Sequence, residues 1–337
     1  MSERCSLGVG TDDSGLLLEA LGLWLDPAAA RPIAFVSHAH ATRATDSACV
    51  LASPETIAIA RKLGAPLRGA RPIAWGEAIE LPIANGFGGG KARLSLAPAG
   101  HMLGAAQLVI EHPGGRLVYA GDWSPHADAT HSAGVAVACD ELIITAAFAL
   151  PIFRFDAYAT TLGAIVDFCS AHLDAERTPV VLAQSPGPAQ AIARELLLRG
   201  LPVAAEESVR RAAGVYESLG VSVGSLREDV PGQRGAVVVA PAGARPAELR
   251  SRRRAAVAYA SGWALLDAAL EQKRADAGFA LPDQADHDGL LALVRSTGAS
   301  RVYASYGDAS AFAHVLGANG VEASGFDRTP IDERRAS

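Results

Sequence analysis

The spacing of hydrophobic positions predicts different secondary structure in the two parts of the chain. Up to about residue 150, short apolar runs such as PIAFVS and RLVYAGD are bounded by Gly, Pro and Asp, and this pattern predicts strands joined by turns. SPETIAIARKLG has a Ser-Pro start, apolar positions at helical spacing and a closing Gly, so it predicts a helix. NGFGGGK predicts a hairpin turn, because it lacks the G-K-S/T ending of a phosphate-binding loop. Further strands are predicted in GLLLEALGLWLDP, ARLSLAPAG and AQLVIEH.

From about Thr160 onward, buried-strand patterns alternate with amphipathic helices. PVVLAQS and GAVVVAPAG are continuous apolar runs, which predict strands covered on both faces. The alternation of such strands with helices predicts a parallel sheet. The predicted helices are PGPAQAIARELLLRG, SVRRAAGVYESLG, HDGLLALVRSTG and DASAFAHVLGANG, and RVYASYG is a further strand.

The composition is that of a soluble globular protein. The chain has 337 residues, of which 50% are hydrophobic and 20% charged, so we expect one large domain or two. A net charge of −6 excludes a global basic field of the kind that attracts nucleic acid, but it leaves room for a local basic patch. No signal peptide is evident and no apolar run reaches the ~18 residues of a membrane span, so we expect a cytoplasmic protein. The four cysteines form no C-x-x-C pair and therefore indicate neither a disulfide framework nor a cysteine zinc site. They are Cys5, Cys49, Cys139 and Cys169.

One short segment, RPAELRSRRRAA, is strongly basic. It contains a single acidic residue, Glu248. Two interpretations stay open: a solvated helix face, or contacts to a phosphate backbone. The basic residues concerned are Arg245, Arg250, Arg252, Arg253 and Arg254.

Three histidines and one aspartate form a candidate metal site. His38 and His40 follow the strand-like PIAFVS, and side chains two apart on an extended segment point the same way. His101 lies in the Gly-rich loop of PAGHMLGAAQLVIE, and Asp122 follows the strand of RLVYAGD. An H-x-H pair alone is weak evidence, but three imidazoles and a carboxylate are a normal ligand set for zinc.

The order of H-x-H, GHMLGAAQ and VYAGDW resembles the metallo-β-lactamase fold and, more narrowly, the β-CASP nucleases. Within the β-CASP nucleases, the sequence is most similar to the bacterial DNA ligase-associated exonuclease and mRNA 3′-end processing nuclease-like group. This resemblance implies an α/β (α+β) protein: an αββα metallo-β-lactamase sandwich from residues 1–154 and 271–337, with a Rossmann-like β-CASP domain inserted at residues 155–270. It extends over nearly the whole chain, through GLWLDP, TAAFALPIFRF, QSPGPAQAIARELLLRGLPV, YASGWA and GFALPDQADHDGLLALVRSTGASRVYASYG.

The chain departs from the active members at five motif positions. Active members have H-x-H-x-D-H in the first motif, where this chain has Thr42 and Arg43. The acid of their E-S-T-F-G segment falls on Thr145, the catalytic histidine of D-H-A-D on Gln284, and the last metal-binding histidine on Tyr306.

By the resemblance, the first metal site survives and the second does not. His38, His40 and His101 correspond to the first site, and Asp122 to the carboxylate that bridges the two metals. Thr42, Arg43 and Tyr306 stand where the second metal has its own ligands. We therefore expect at most one zinc ion, and binding of no metal stays an alternative.

The losses predict an impaired nuclease. Phosphodiester hydrolysis of this kind uses two cations ~3.5–4 Å apart. Loss of a general acid removes ~10²–10⁴ in rate, and loss of the second cation as well brings the total beyond ~10⁵. The leading hypothesis is a degenerate homologue that binds DNA, RNA or a partner protein in DNA repair or RNA processing. The partners that the resemblance implies are a DNA ligase and helicase or an active β-CASP homologue.

Two alternatives to the leading hypothesis stay open. One is a single-zinc hydrolase acting on phosphodiesters, esters or lactones, in which Asp122 orients the attacking water. The other is a docking scaffold that needs no ligand. We also hypothesise that the guanidinium of Arg43 replaces the second cation and holds a phosphate. His126, His131 and His287 are interpreted as ordinary histidines, with a substitute ligand role as the less favoured reading.

Overall fold

Three sheets and seven α-helices make up the regular structure of the described residues. The structure is a computed structural model that describes residues 6–41, 46–230, 234–244 and 254–326. Its mixed strand and helix content confirms the predicted α/β (α+β) class. No helix in these ranges is long and apolar enough to span a membrane.

The first sheet is formed by the beginning of the chain and follows the order of the sequence. Strands β1 to β3 pair antiparallel, whereas β3 to β6 pair parallel. The single strand-rich segment predicted in GLLLEALGLWLDP is divided by a 3-10 turn, Glu19–Leu21, that closes at Gly22 with φ +58°. The strands are β1 Val9–Asp12, β2 Gly15–Leu18, β3 Leu23–Leu25, β4 Ile33–Phe35, β5 Cys49–Ala52 and β6 Ala70–Pro72.

The second sheet combines an antiparallel meander with three parallel strands. NGFGGGK connects β7 to β8, which confirms the predicted hairpin turn. In spatial order the strands are β19 Glu322–Phe326, β18 Arg301–Ser305, β11 Glu141–Thr145, β10 Gly115–Gly121, β9 Ala106–His112, β8 Lys91–Pro98 and β7 Ala78–Pro82.

The first two sheets pack face to face and are covered by helices on both outer faces. Phe35 of the first sheet and Leu94 and Ile110 of the second belong to one buried cluster between them. Helix α1, Pro54–Lys62, buries Ile57 against the outer face of the first sheet. Two helices bury apolar residues on the outer face of the second sheet, α6 His287–Thr297 and α7 Ala309–Ala318. The result is a four-layer helix–sheet–sheet–helix body.

The third sheet is fully parallel, as the alternation of strands and helices predicts. Every residue of β12 is buried, in agreement with its continuous apolar run. In spatial order the strands are β14 Arg227–Glu228, β13 Val203–Ala205, β15 Val237–Pro241, β12 Thr178–Ala183, β16 Ala255–Ala260 and β17 Ala277–Phe279. The associated helices are α2 Tyr158–Asp174, α3 Pro188–Leu198, α4 Glu207–Ser218 and α5 Asp267–Lys273.

The four-layer body and the third sheet share one core cluster. Ile59 of α1 and Met102 of the loop before β9 pack with residues of β12 and α3 such as Val181 and Ile192. This shared cluster brings loops from both parts of the molecule to the same place. The division into domains at residues 154 and 270 stays a prediction.

Candidate metal centre

Three histidines converge at the edge where the first sheet meets the loop between β8 and β9. His38 follows β4, His40 lies in the 3-10 turn Ala39–Ala41, and His101 lies in the β8–β9 loop. One ring nitrogen from each lies within 4.8 Å of the others, which is close enough to bind a single metal ion. The rings meet edge to face, with centroids 4.6–5.3 Å apart.

Backbone carbonyls determine which nitrogen of His40 and His101 is available. The Nδ1 of His101 lies 3.0 Å from the carbonyl oxygen of Asp283. The Nε2 of His40 lies 2.8 Å from the carbonyl oxygen of Pro186. A carbonyl only accepts, so each of these nitrogens carries the hydrogen and its ring offers the other nitrogen to a metal. The nitrogens that face each other at the centre of the cluster are Nε2 of His101 and Nδ1 of His40, 3.3 Å apart.

A buried carboxylate orients His38 through a serine. The Ser37 hydroxyl donates to Asp26 Oδ2 at 2.5 Å and lies 2.8 Å from His38 Nδ1. Because its hydrogen points at Asp26, the hydroxyl accepts from Nδ1, and Nε2 of His38 faces the carboxylate of Asp122 at 3.6 Å. Asp26 also accepts from the Ser37 backbone N–H at 2.7 Å and from the Tyr119 hydroxyl at 2.7 Å.

Burial controls the charge of this carboxylate. It raises the pKa of Asp26 to about 6, in spite of the hydrogen bonds from Ser37 and Tyr119 that favour the ionised form, and nearby Asp122 adds to the increase. Burial likewise raises the pKa of the Tyr119 phenol well above its usual value, and the charge of Asp26 raises it further. At neutral pH, Asp26 is therefore mainly ionised and Tyr119 is a donor.

Asp122 lies beside the histidines and is held by Gln284. Its Oδ2 is 3.6 Å from Nε2 of His38 and accepts a hydrogen bond of 3.1 Å from the Gln284 amide. The adjacent Gly121 has φ +58°, and a Cβ there would come within 3.2 Å of Ser37. The structure thus brings His38, Asp122 and Gln284 together, although they are up to 246 residues apart in sequence. Their roles stay predictions.

Two other substituted positions lie at the ends of neighbouring strands. Thr145, at the end of β11, is buried and pairs in register with Ser305 of β18. Tyr306 follows directly, with φ +61°, and its phenol raises the pKa of the Tyr119 phenol. Tyr306 is therefore close enough to the Asp26 network to act on it electrostatically.

Arg254 is the one predicted arginine contact within the described residues, and it lies away from this site. Arg254, which precedes β16, is exposed at the edge of the third sheet opposite Pro186, which follows β12. The other positions named from the sequence lie outside the described residues, namely Thr42, Arg43, Arg245, Arg250, Arg252 and Arg253.

The remaining histidines of interest make other contacts. His287 is buried and places Nδ1 2.6 Å from the carbonyl of Ala149. His131 pairs with Asp128 at 3.0 Å, and His126 stacks on Tyr158. In the part of the chain that the structure describes, His38, His40 and His101 form the one group of three or more His, Cys, Asp or Glu residues that converge closely enough for a metal.

Sequence reasoning missed the residues that orient the histidines. Asp26 and Ser37 were visible as an aspartate before proline and a serine before the first histidine, but neither pattern is specific. The carbonyls of Pro186 and Asp283 carry no side-chain signal at all. These four groups come from three parts of the sequence, because Asp26 and Ser37 are only 11 residues apart.

Comparison with known proteins gives a relative that is similar in sequence and a solved structure that is similar in fold. No protein-family model matches the chain. A protein of Opitutus terrae described as a probable DNA ligase is 31% identical over 312 residues, which are 92% of this chain and 30% of that protein. The chain thus spans under a third of the length of this curated relative. A solved structure of a protein of unknown function from Enterococcus faecalis has a TM-score of 0.56 at 12% identity, over 80% of this chain and 74% of that one, which shows a similar fold.

Proposed function

We propose that the chain is a degenerate β-CASP nuclease homologue that retains one zinc site and binds nucleic acid in a process involving a DNA ligase. The observation that carries the proposal is the convergence of His38, His40 and His101, each with its second ring nitrogen already hydrogen-bonded. Three imidazoles with fixed tautomers match the ligand set that zinc prefers. The similarity to a protein named as a probable DNA ligase supports the DNA-related part.

The residues present fit a single ion better than a pair. When bound, a zinc ion supplies Lewis-acid chemistry to a phosphate or water oxygen. In this proposal Asp122, whose Oδ2 is 3.6 Å from Nε2 of His38, accepts a hydrogen bond from a water molecule beside that histidine. Gln284 donates to one oxygen of this carboxylate, and an amide does not transfer a proton near neutral pH as the catalytic histidine of the family would.

The substituted positions support weak or absent nuclease activity. Thr145 and Tyr306 offer neutral oxygens where the family has an acid and a histidine. Without a second cation and a general acid, the expected rate lies at least ~10⁵-fold below that of a two-metal nuclease. The retained function is then binding of the phosphate backbone, with a single ion bound by the three histidines.

A single-zinc hydrolase is the second candidate, and the position of Asp122 favours it. A carboxylate 3.6 Å from one histidine nitrogen can orient a water molecule for attack on an activated ester or lactone. In that case ester cleavage depends on zinc and on Asp122, whereas binding of nucleic acid does not.

The experiment compares binding and cleavage in the same preparation. Protein purified without chelator is tested on labelled single- and double-stranded DNA and RNA with added zinc or manganese, alongside His38→Ala and Asp122→Asn. The proposal expects micromolar or tighter binding of nucleic acid and negligible cutting. Rapid cutting that disappears in His38→Ala would falsify the proposal that nuclease activity is impaired. Absence of binding to all four substrates would contradict the nucleic-acid role.

A further inference from the structure

One surface next to the candidate site is basic although the chain as a whole is acidic. Residues 56–76 contain four basic residues and no acidic one, in a chain of net charge −6. All four are exposed, on α1, on β6 and in the loop between them. We call this surface the β6 strip and include in it the exposed tryptophan that follows β6; its residues are Arg61, Lys62, Arg68, Arg71 and Trp75.

Among the described residues, the cations of the β6 strip have no carboxylate partner, unlike the cations of β8. On β8, Lys91 pairs with Glu80 at 2.6 Å and Arg93 pairs with Glu111 at 2.8 Å. No ion pair within the described residues involves a cation of the β6 strip. Arg61 alone is held, by hydrogen bonds to the carbonyls of the loop that follows α1. The strip therefore presents positive charge that is not neutralised by ion pairs among the described residues, with the carboxylate of Glu55 beside it at Trp75.

The topology of the first sheet places the Trp75 end of the β6 strip at the same edge as the histidines. Strands β4, β5 and β6 are parallel, so the residues that follow them lie at one edge of the sheet. His38 follows β4 and Trp75 follows β6, whereas Arg68 precedes β6 at the opposite edge. β6 is the outermost strand of its sheet, so the strip runs along an open side of the molecule to the histidine edge.

Trp75 adds a feature that an acidic protein partner would not need. Its side chain is 38% exposed, and its Nε1 donates to the carboxylate of Glu55 at 3.0 Å. This hydrogen bond fixes the indole while one part of the ring system stays open to solvent. A fixed, exposed aromatic ring next to a line of cations is the arrangement that binds unpaired bases and their phosphates together.

We infer that the β6 strip binds single-stranded nucleic acid, with Arg68 and Arg71 on the phosphates and Trp75 stacked on a base near the histidine edge. This inference rests on the proposed nucleic-acid function and assigns it to a particular surface. The strand follows β6 toward His38. Bases in a duplex are already stacked on one another, so the strip prefers single strands.

The test measures binding of a labelled oligothymidylate and an oligouridylate of about 20 nucleotides, a length that spans one such site. Arg68→Ala/Arg71→Ala is expected to weaken binding about tenfold at ~0.1 M salt and to reduce the salt dependence of log Kd by ~1.4, which corresponds to two phosphate contacts. The matched control is Lys91→Ala/Arg93→Ala, which removes the same charge from paired residues and is expected to change binding less than twofold. The two oligonucleotides determine whether the strip distinguishes DNA from RNA.

Trp75 is tested separately, because its contribution is not ionic. Trp75→Ala is expected to weaken binding about tenfold with an unchanged salt dependence. Trp75→Phe keeps a stacking ring, so it retains the affinity but removes the quenching of tryptophan fluorescence by the bound strand.

The outcomes separate this inference from the proposed function. Suppose that the wild-type protein binds, but that the two double variants behave alike or Arg68→Ala/Arg71→Ala has no effect. The assignment of binding to the β6 strip is then overturned, and the proposed nucleic-acid function stands. If duplex binds as tightly as single strands and Trp75→Ala has no effect, the single-strand assignment is overturned. If the wild-type protein binds neither oligonucleotide, both proposals are overturned.

Discussion

The ring of His38 is oriented by a hydrogen-bond chain that ends at a buried carboxylate. Ser37 lies between them and uses its hydroxyl in both directions, donating to Asp26 and accepting from His38. In proteins that bind metals, partners of this kind keep the ligating nitrogen pointed at the ion before the ion arrives. The hydroxyl of Ser37 therefore matters for metal affinity although it touches no metal.

Ser37→Ala is the direct test of this chain. Removal of the hydroxyl leaves His38 Nδ1 without its acceptor, so zinc affinity is expected to fall roughly 10–100-fold. The affinity is measured by competition with a chelator of known zinc affinity. Thr297→Ala removes an equally buried hydroxyl at the end of α6 and is the matched control. Equal zinc affinities in the two variants would contradict the orienting role.

Asp128, which is outside the histidine cluster, is a largely buried carboxylate that pairs with His131 at 3.0 Å. Burial alone would raise the pKa of this carboxyl, but hydrogen bonds from His131 and Thr130 and the charge of His131 lower it to about 2. A lowered pKa means that the carboxylate stabilises the fold above its unfolded pKa of 3.8, and that this stability is lost as the pH falls toward 2.

Asp128→Asn should therefore lower the free energy of unfolding by about 2 kcal/mol at pH 7. The difference from the wild-type protein should shrink below about pH 4, where the unfolded carboxyl protonates. Urea denaturation at pH 7, 5 and 3.5 measures both effects. Asp156→Asn, at an exposed position, is the control. A difference that does not depend on pH would contradict the proposed ionic origin.

At the scale of elements, the loop that carries His101 is tied to the start of α1. The carbonyl of Gly104 accepts from the Ser53 hydroxyl at 2.6 Å and from the Thr56 hydroxyl at 2.9 Å. Gly104 has φ +82°, and a Cβ at this position would come within 2.6 Å of Glu55 Cβ and 2.8 Å of the Thr56 nitrogen. Only glycine allows the loop and the helix to approach so closely.

Gly104→Ala is expected to destabilise the protein and to displace His101. Its matched control is Gly64→Ala, which has φ +105° and no atom within 4 Å of the added Cβ. The control isolates the backbone cost of about 1 kcal/mol, and Gly104→Ala should cost at least ~2 kcal/mol more and weaken zinc binding. Denaturant midpoints and zinc titrations measure the two effects. Equal losses of stability would show that the close approach to α1 does not matter.

Sequence patterns predicted elements best where the local signals were complete. α1 begins at Ser53, whose hydroxyl accepts from the Thr56 N–H, and the Ser-Pro start of SPETIAIARKLG was recognisable. α2 was not singled out, because it begins after Ala157 with no capping side chain and so carries no start signal. The break at Glu19–Leu21 was missed because its flanking residues are apolar on both sides.

At the scale of the whole molecule, the candidate metal centre draws on all three sheets. His38 follows β4 of the first sheet, Asp122 follows β10 of the second, and the carbonyl of Pro186 comes from the loop after β12 of the third. Spacing in the sequence predicted that the histidines would converge, because ligands at strand ends meet at one sheet edge. It could not predict the contact of Pro186 with His40, which depends on how the third sheet packs on the four-layer body.

The same packing brings two of the positions that differ from the motifs of the resemblance close to the candidate metal centre. Gln284 follows β17 and Tyr306 follows β18, and both reach the surroundings of Asp122 and Tyr119. With Tyr306 where the resemblance implies a metal-binding histidine, we expect one cation position and not two. The number of metal ions bound per chain is therefore the property on which the proposed function depends most.

The most direct test is the zinc content of protein purified without chelators or a metal-binding tag, measured by elemental analysis alongside His101→Ala. We predict about one zinc ion per wild-type chain and far less in the variant, because His101 supplies one of three ligands. Two ions per chain would contradict the loss of the second metal site, and with it the proposal that nuclease activity is impaired. No zinc in the wild-type protein, even after dialysis against the metal, would contradict the central claim that the three histidines form a working metal centre.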